Sequence, residues 1–122
     1  MTTTELEKTI IKKILADPEL KPVRSSVNFN SVKVNNRNMS ASGFLSEFEQ
    51  SEELKLFDTS VSLRWGKIGA KLNASHLDTG YLVYVDNGYV TAVEGFTYGN
   101  IWPDHIDRIE FYEVKMGNGG EP

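Results

Sequence analysis

The chain has no cysteine among its 122 residues. That absence removes a disulfide framework and every zinc site of the cysteine type, and it suits a reducing compartment. Histidine is nearly as scarce: only His76 and His105 are present, and neither stands in a spacing that metal sites or general-base catalysis use. His105 lies beside Asp104, a pairing whose ordinary reading is a surface loop. No apolar run approaches the ~20 residues a membrane-spanning helix needs. The opening Met1-Thr2-Thr3-Thr4-Glu5 lacks the basic and apolar regions of an export signal, so the expected location is cytoplasmic. Glycine-rich phosphate loops, nucleophile elbows and HExxH-type helices are also missing. No catalytic residue, metal or cofactor is therefore expected. A weak hydrolase built on carboxylates stays open as an alternative, although a chain this short has little room for a deep cleft beside a core.

Basic residues are in short supply, 13 against 17 acidic ones for a net charge of −4. A phosphate-binding surface needs clustered Lys and Arg, so direct nucleic-acid binding is disfavoured. The acidic excess is uneven. Glu47, Glu49, Glu52, Glu53 and Asp58 face a single Lys55, and after Asn73 the carboxylates of Asp78, Asp86, Glu94, Asp104, Asp107, Glu110, Glu113 and Glu121 face only Arg108 and Lys115. Segregation of this kind can steer a basic partner, whereas the ordinary reading of a charge cluster is a solvated face.

Apolar residues make up 39% of the chain, enough for one core. Thr4 and Glu7 form a capping-box pattern. Leu6, Ile10, Ile11, Ile14 and Leu15 then recur at helical spacing, with Glu5, Lys8, Lys12 and Lys13 outside the stripe. Asp17-Pro18 through Pro22 stops the helix. Beyond Pro22 the chain reads as strand and turn. Val23, Ser25, Val27 and Phe29 alternate, and Val32 and Val34 continue the pattern after an irregularity at Asn30-Ser31. Asn35 to Asn38 reads as a turn, and Met39 to Phe48 as a second extended segment around Gly43. Glu49 to Glu53 reads as a loop or short helical turn. Val61, Leu63 and Trp65, then Ile68, Ala70 and Leu72, fit either a kinked strand or a hairpin.

The sharpest local signal is Asn87-Gly88 between two strand-like runs, which favours a type I′ two-residue hairpin. That loop sets Val85 opposite Val90, Val83 opposite Ala92 and Tyr81 opposite Glu94. Glu94 then shares the apolar face, where an unsatisfied carboxylate costs several kcal/mol. A bulge after Val93 would instead turn it to solvent. Arg108 to Val114 forms the last strand. The expected fold is α+β: an N-terminal helix packed on a twisted, mostly antiparallel sheet of five or six strands, connected mostly as a meander. Residues 1–116 form a single domain and residues 117–122 a flexible tail.

Gly95, Gly99 and Pro103 shape an ordered loop that carries Tyr98 and Trp102, aromatic residues of the kind that anchor interfaces, although a Trp in a small domain is more often core. Gly43-Phe44-Leu45-Ser46-Glu47-Phe48, with Val93-Glu94-Gly95-Phe96-Thr97-Tyr98-Gly99-Asn100-Ile101-Trp102-Pro103 some fifty residues later, resembles a "GFFT-x-F … LEGYTYG-x-x-WP" pattern. That pattern belongs to small bacterial immunity proteins of contact-dependent growth inhibition and related polymorphic-toxin systems. The likeness spans roughly residues 43 to 103 and departs from the first motif at Leu45 and Ser46. It implies a protein that neutralises a cognate toxin domain, and it names no toxin. A basic nuclease is the class the charge suits. The expected partner-binding residues are Asp86, Glu94, Tyr98, Trp102, Asp104 and Asp107. The alternative function is a small-molecule or carbohydrate-binding module.

Overall fold

The structure, a computed structural model, describes residues 1–20 and 26–114. One helix, α1 (Thr3–Leu15), precedes six strands: β1 (Val34–Ser40), β2 (Gly43–Phe48), β3 (Leu63–Leu72), β4 (Leu77–Asp86), β5 (Tyr89–Thr97) and β6 (Ile109–Glu113). They form a single antiparallel sheet in the order β1-β2-β5-β4-β3-β6. The α+β class and the helix-on-sheet arrangement are those expected. Meander connections hold for β1–β2 and for β3–β4–β5. The chain crosses over between β2 and β3 and again between β5 and β6, because β2 pairs with β5 and β6 pairs with β3. Among the described residues no helix is long and apolar enough to cross a membrane. The expected strand residues Val23 and Ser25, and the tail at 117–122, lie outside the described residues.

α1 packs against β4 and β5. Its stripe of Leu6, Ile10, Ile11 and Ile14 is fully buried against Tyr81, Val83, Val85, Val90 and Val93. The capping box is made two residues earlier than the Thr4–Glu7 pattern: Thr2 Oγ1 accepts from the Glu5 amide (3.1 Å), and Glu5 Oε1 accepts from the Thr2 amide (2.7 Å). Glu7 is thereby free for another task. It lies on the buried face, 2% exposed, and takes a forked ion pair from Arg37 of β1, with Nη2 to Oε1 at 2.8 Å and Nε to Oε2 at 3.0 Å. A buried carboxylate is tolerable only when paired in this way.

That pair also explains the correction at Asn35 to Asn38. These residues are strand, not turn, because β1 is an edge strand whose side chains are largely exposed and whose role is to present Arg37. The turn falls instead at Ala41-Ser42. The alternating run expected to continue through Phe29 is broken by a 3₁₀ turn, Phe29–Ser31, capped by the Asn28 side chain.

Past the helix, Asp17 is buried and accepts from the Trp65 indole (2.5 Å), the Glu19 amide (2.8 Å) and Lys67 (3.3 Å). Lys67 reaches it because β3 is one kinked strand with a bulge between Trp65 and Ile68. Burial pushes the Asp17 carboxyl up, but the three donors outweigh that and hold it below its ordinary 3.8.

The β4–β5 hairpin turns at Asn87-Gly88, with φ of 53° and 85°, as a type I′ turn requires. Val85 pairs with Val90 as expected, and there the register slips. Tyr84 faces Ala92, Val83 faces Val93, Leu82 faces Glu94 and Tyr81 faces Gly95. Thr91 is the extra residue of a bulge. Its hydroxyl lies 3.3 Å from Tyr84 O and 3.0 Å from Asp86 Oδ2, within donating distance of both. A one-residue slip reverses the parity of everything beyond it, so Val93 enters the core and Glu94 moves to the face away from α1. The bulge thus lies before Glu94, not after Val93.

The hairpin turn and the buried aspartate are each open to measurement. A Cβ at Gly88 would sit 2.6 Å from Phe57 O and 2.7 Å from Thr59 O, so Gly88→Val combines a clash with an unfavourable φ and should cost about 1–3 kcal/mol of stability. Denaturant titration reads this directly, and an unchanged midpoint would rule out the strained turn. The depressed Asp17 titration adds stability that is complete above the unfolded aspartate value and is lost as pH falls through the lower folded value. Between about pH 5 and 2 the wild-type melting temperature should therefore fall more steeply than that of Asp17→Asn; parallel acid profiles would contradict the anchoring of this carboxylate.

Candidate functional site

Because α1 covers one face only, the other face of the sheet carries no second layer among the described residues. Its cross-strand rows are set by the registers. Asn38, Leu45, Glu94 and Leu82 form one row; Gly43, Phe96, Gly80, Gly69 and Tyr112 form the next. The Phe96 and Tyr98 side chains lie over Gly80, and the Tyr112 ring lies over Gly69, where any Cβ would come within 2.8 Å of them. The glycines of this row therefore act as seats for rings. Two tyrosines are held down by carboxylates: Tyr84 donates to Glu94 Oε1 (2.7 Å) and Tyr112 donates to Asp78. The hydrogen bond to Glu94 together with burial raises the Tyr84 pKa. Arg64 sits over Tyr84 at 5.3 Å and Lys71 over Tyr112 at 5.8 Å. Both of these cations are thus spent on the face's own rings, while Glu47, Glu94, Asp78 and Glu110 keep the face acidic.

The β5–β6 loop starts on this face and ends on the other. Tyr98 is 57% exposed and packs edge-on to Phe96 with ring centres 5.5 Å apart. Gly99 then takes a φ of 85°. Four residues beyond Tyr98, Trp102 is 8% exposed and packs edge-on to Phe44 (5.4 Å) and Tyr81 (6.4 Å) on the helix-covered side. The loop is pinned at each step. Thr97 Oγ1 accepts from the Asn100 amide (3.2 Å), the Trp102 amide donates to Ala41 O (2.7 Å), and Asn73 closes the far end. The Asn73 side chain donates to His105 O (2.9 Å) and accepts from the Asp107 amide (2.7 Å).

The six expected partner-binding residues are therefore divided. Glu94 and Tyr98 share the uncovered face. Asp86 lies at the hairpin tip, exposed, six residues along β4 from the Gly80 seat of Tyr98, or ~20 Å away. Asp104 and Asp107 are exposed on the loop. Trp102 belongs to the core and supports the loop from beneath, so it contributes position and not contact area. Glu94 is half-buried and satisfied by Tyr84, and does not stand in the apolar core.

Sequence reasoning missed two residues and one support. Ile101 is 78% exposed and Met39 is 54% exposed. Together with Tyr98 and Met1 they account for four of the five large apolar side chains that stand exposed among the described residues. All four adjoin one corner, where the β5–β6 loop meets the β1–β2 turn. Ile101 could have been flagged by its place between Asn100 and a Trp that takes the core position. Asn73 as the loop's clasp has no local signal, since its partners lie more than thirty residues away.

Beside this corner is a cleft of about 400 Å³ lined by Met1, Met39, Trp102, Pro103, Ile106 and the loop carboxylates. A second cleft, of about 390 Å³, lies under the end of α1 against β6; it holds none of the expected residues, and its buried carboxylate, Asp17, is already satisfied. No grouping of His, Asp and Glu that could hold a metal ion occurs among the described residues. No protein-family model, curated protein or solved structure matches the chain.

The division of Trp102 from Tyr98 is testable by stability alone. Trp102→Ala should lose about 3–5 kcal/mol as a core deletion, and Tyr98→Ala under ~1 kcal/mol. Equal losses in equilibrium unfolding would show that Tyr98, too, is part of the core.

Proposed function

We propose that this chain is a stoichiometric inhibitor that acts in the cytoplasm by binding a cognate toxin domain, a basic nuclease by class, and covering its active site or substrate groove. The observation that carries the reading is the corner where Tyr98, Ile101 and Met39 stand exposed on and beside a pinned loop, with Asp104 and Asp107 at its rim. Exposed apolar side chains gathered in one place and ringed by charge are what a protein interface uses. Anchors held by backbone hydrogen bonds lose little entropy on docking. The acidic balance of the loop and of the uncovered sheet face supports a basic partner, because it steers encounter and repels nucleic acid as a competitor for the same surface. Catalysis is the weaker reading: Glu94 and Asp78, carboxylates of the uncovered face, already hold tyrosine hydroxyls, and Asp86 holds Thr91.

The test is co-expression with a basic, toxin-like reading frame found beside this one. The pair should co-purify, the chain should restore growth, and Ile101→Asp should remove both while the melting temperature stays within a few degrees. A pair that neither co-purifies nor restores growth would end the immunity reading. A pair that survives Ile101→Asp and Tyr98→Ala unchanged would keep the function and move the interface to the sheet face around Glu47 and Glu94.

A further inference from the structure

Asp104 and Asp107 have no basic side chain within ion-pair distance among the described residues. Each is exposed, and the pair stands at the mouth of the 400 Å³ cleft whose walls, Met39, Trp102, Pro103 and Ile106, are apolar. A long side chain that is apolar along its stem and cationic at its tip matches such a site. The cleft already takes a cationic nitrogen from its own chain: the Met1 ammonium donates to Ile106 O at 2.8 Å. One ammonium set against two carboxylates leaves negative charge in excess.

The geometry points to an arginine side chain of the partner as the occupant of this cleft, its stem along Met39 and Pro103 and its guanidinium shared by Asp104 and Asp107. Arginine fits better than lysine because a planar fork of donors can serve two acceptors at once, whereas an ammonium is a strongly hydrated point charge. This deepens the proposed binding function and rests on it for the identity of the partner, but the cleft's preference belongs to this chain alone and is measured without any toxin. The apolar corner would supply the anchors, and the cleft would fix their orientation by one charged contact. A nuclease is a fitting source, since a cation that contacts phosphate in its substrate groove is what an inhibitor gains by capturing.

The experiment uses the full chain, isotopically labelled, titrated with N-acetyl-argininamide at ~0.15 M salt, where exposed charges further apart than the screening length are muted. N-acetyl-lysinamide and N-acetyl-glutamamide serve as comparison probes. The arginine probe should move the amide resonances of Met39 and Asp104 to Asp107 and the Trp102 indole signal, saturating in the millimolar range. In Asp104→Asn/Asp107→Asn its binding should weaken about tenfold. Met39→Lys, which tethers an ammonium at the mouth, should remove saturable binding in a protein that still melts normally. Three results would overturn the proposal: shifts confined to the sheet face around Glu47 and Glu94, equal binding of the lysine probe, or unchanged affinity in the double variant. Failure of co-purification with a toxin, beside a positive titration, would instead count against the immunity reading and leave the cleft's chemistry standing.

Discussion

One helix has to seal a six-stranded sheet, and it is too small to do so alone. The thirteen residues of α1 rise ~20 Å, and six strands span ~24 Å from edge to edge, so the helix covers the middle strands and little else. The rest of that face is closed by irregular segments. Leu54 and Leu56, from the β2–β3 crossover, and Trp102 and Ile106, from the β5–β6 crossover, complete the core. The two crossovers are therefore lids on the same side of the sheet. Backbone groups in such segments need partners, which is why Leu56 and Phe57 bond to Gly88 and why Trp102 bonds to Ala41. The opposite face has no lid among the described residues and is stabilised within its own layer, with rings laid over glycines and tyrosine hydroxyls held by carboxylates.

The parts of this arrangement that local rules govern were legible in the sequence. The apolar stripe of α1, its stop at Asp17-Pro18 and the Asn87-Gly88 turn depend on residues within one or two turns of each other, and each stands where expected. What failed depended on partners far along the chain. Two capping-box registers are available at the N-terminus, and the choice between them is made by Arg37, which claims Glu7. Asn35 to Asn38 has turn composition, but an edge strand with one paired side can carry polar residues on both faces. The Thr91 bulge has no signature of its own, yet it decides on which face Glu94 stands. A single-residue slip is invisible to alternation counted from one end and reverses every inference beyond it.

The candidate site was legible in the same uneven way. The loop from Tyr98 to Asp107 was marked by its glycines, its proline and its aromatics, and it does carry the exposed corner. Which of its two aromatics faces outward was not marked, because both Tyr and Trp serve in cores and interfaces alike. The fold decides it through Gly99, whose positive φ turns the chain from one face of the sheet to the other. Met39 and Ile101 escaped notice for a related reason: an isolated apolar residue in an edge strand or loop needs no explanation, and only their convergence gives them one.

That convergence has an energetic side. A chain of this size has limited apolar surface with which to offset the entropy of folding, and its helix already leaves the core dependent on loop residues. Ile101 and Met39 add nothing to that core while exposed, whereas polar residues at both positions would leave the described hydrogen bonds intact. The loop that carries Ile101 is nevertheless among the most firmly tied irregular segments, held by Thr97, Ala41 and Asn73 along its length. A rigid frame whose outermost side chains do no internal work is arranged to present them. Presentation on a fixed frame lowers the entropic cost of binding, so the cost in core area and the ordering of the loop find a common explanation in a partner that covers this corner.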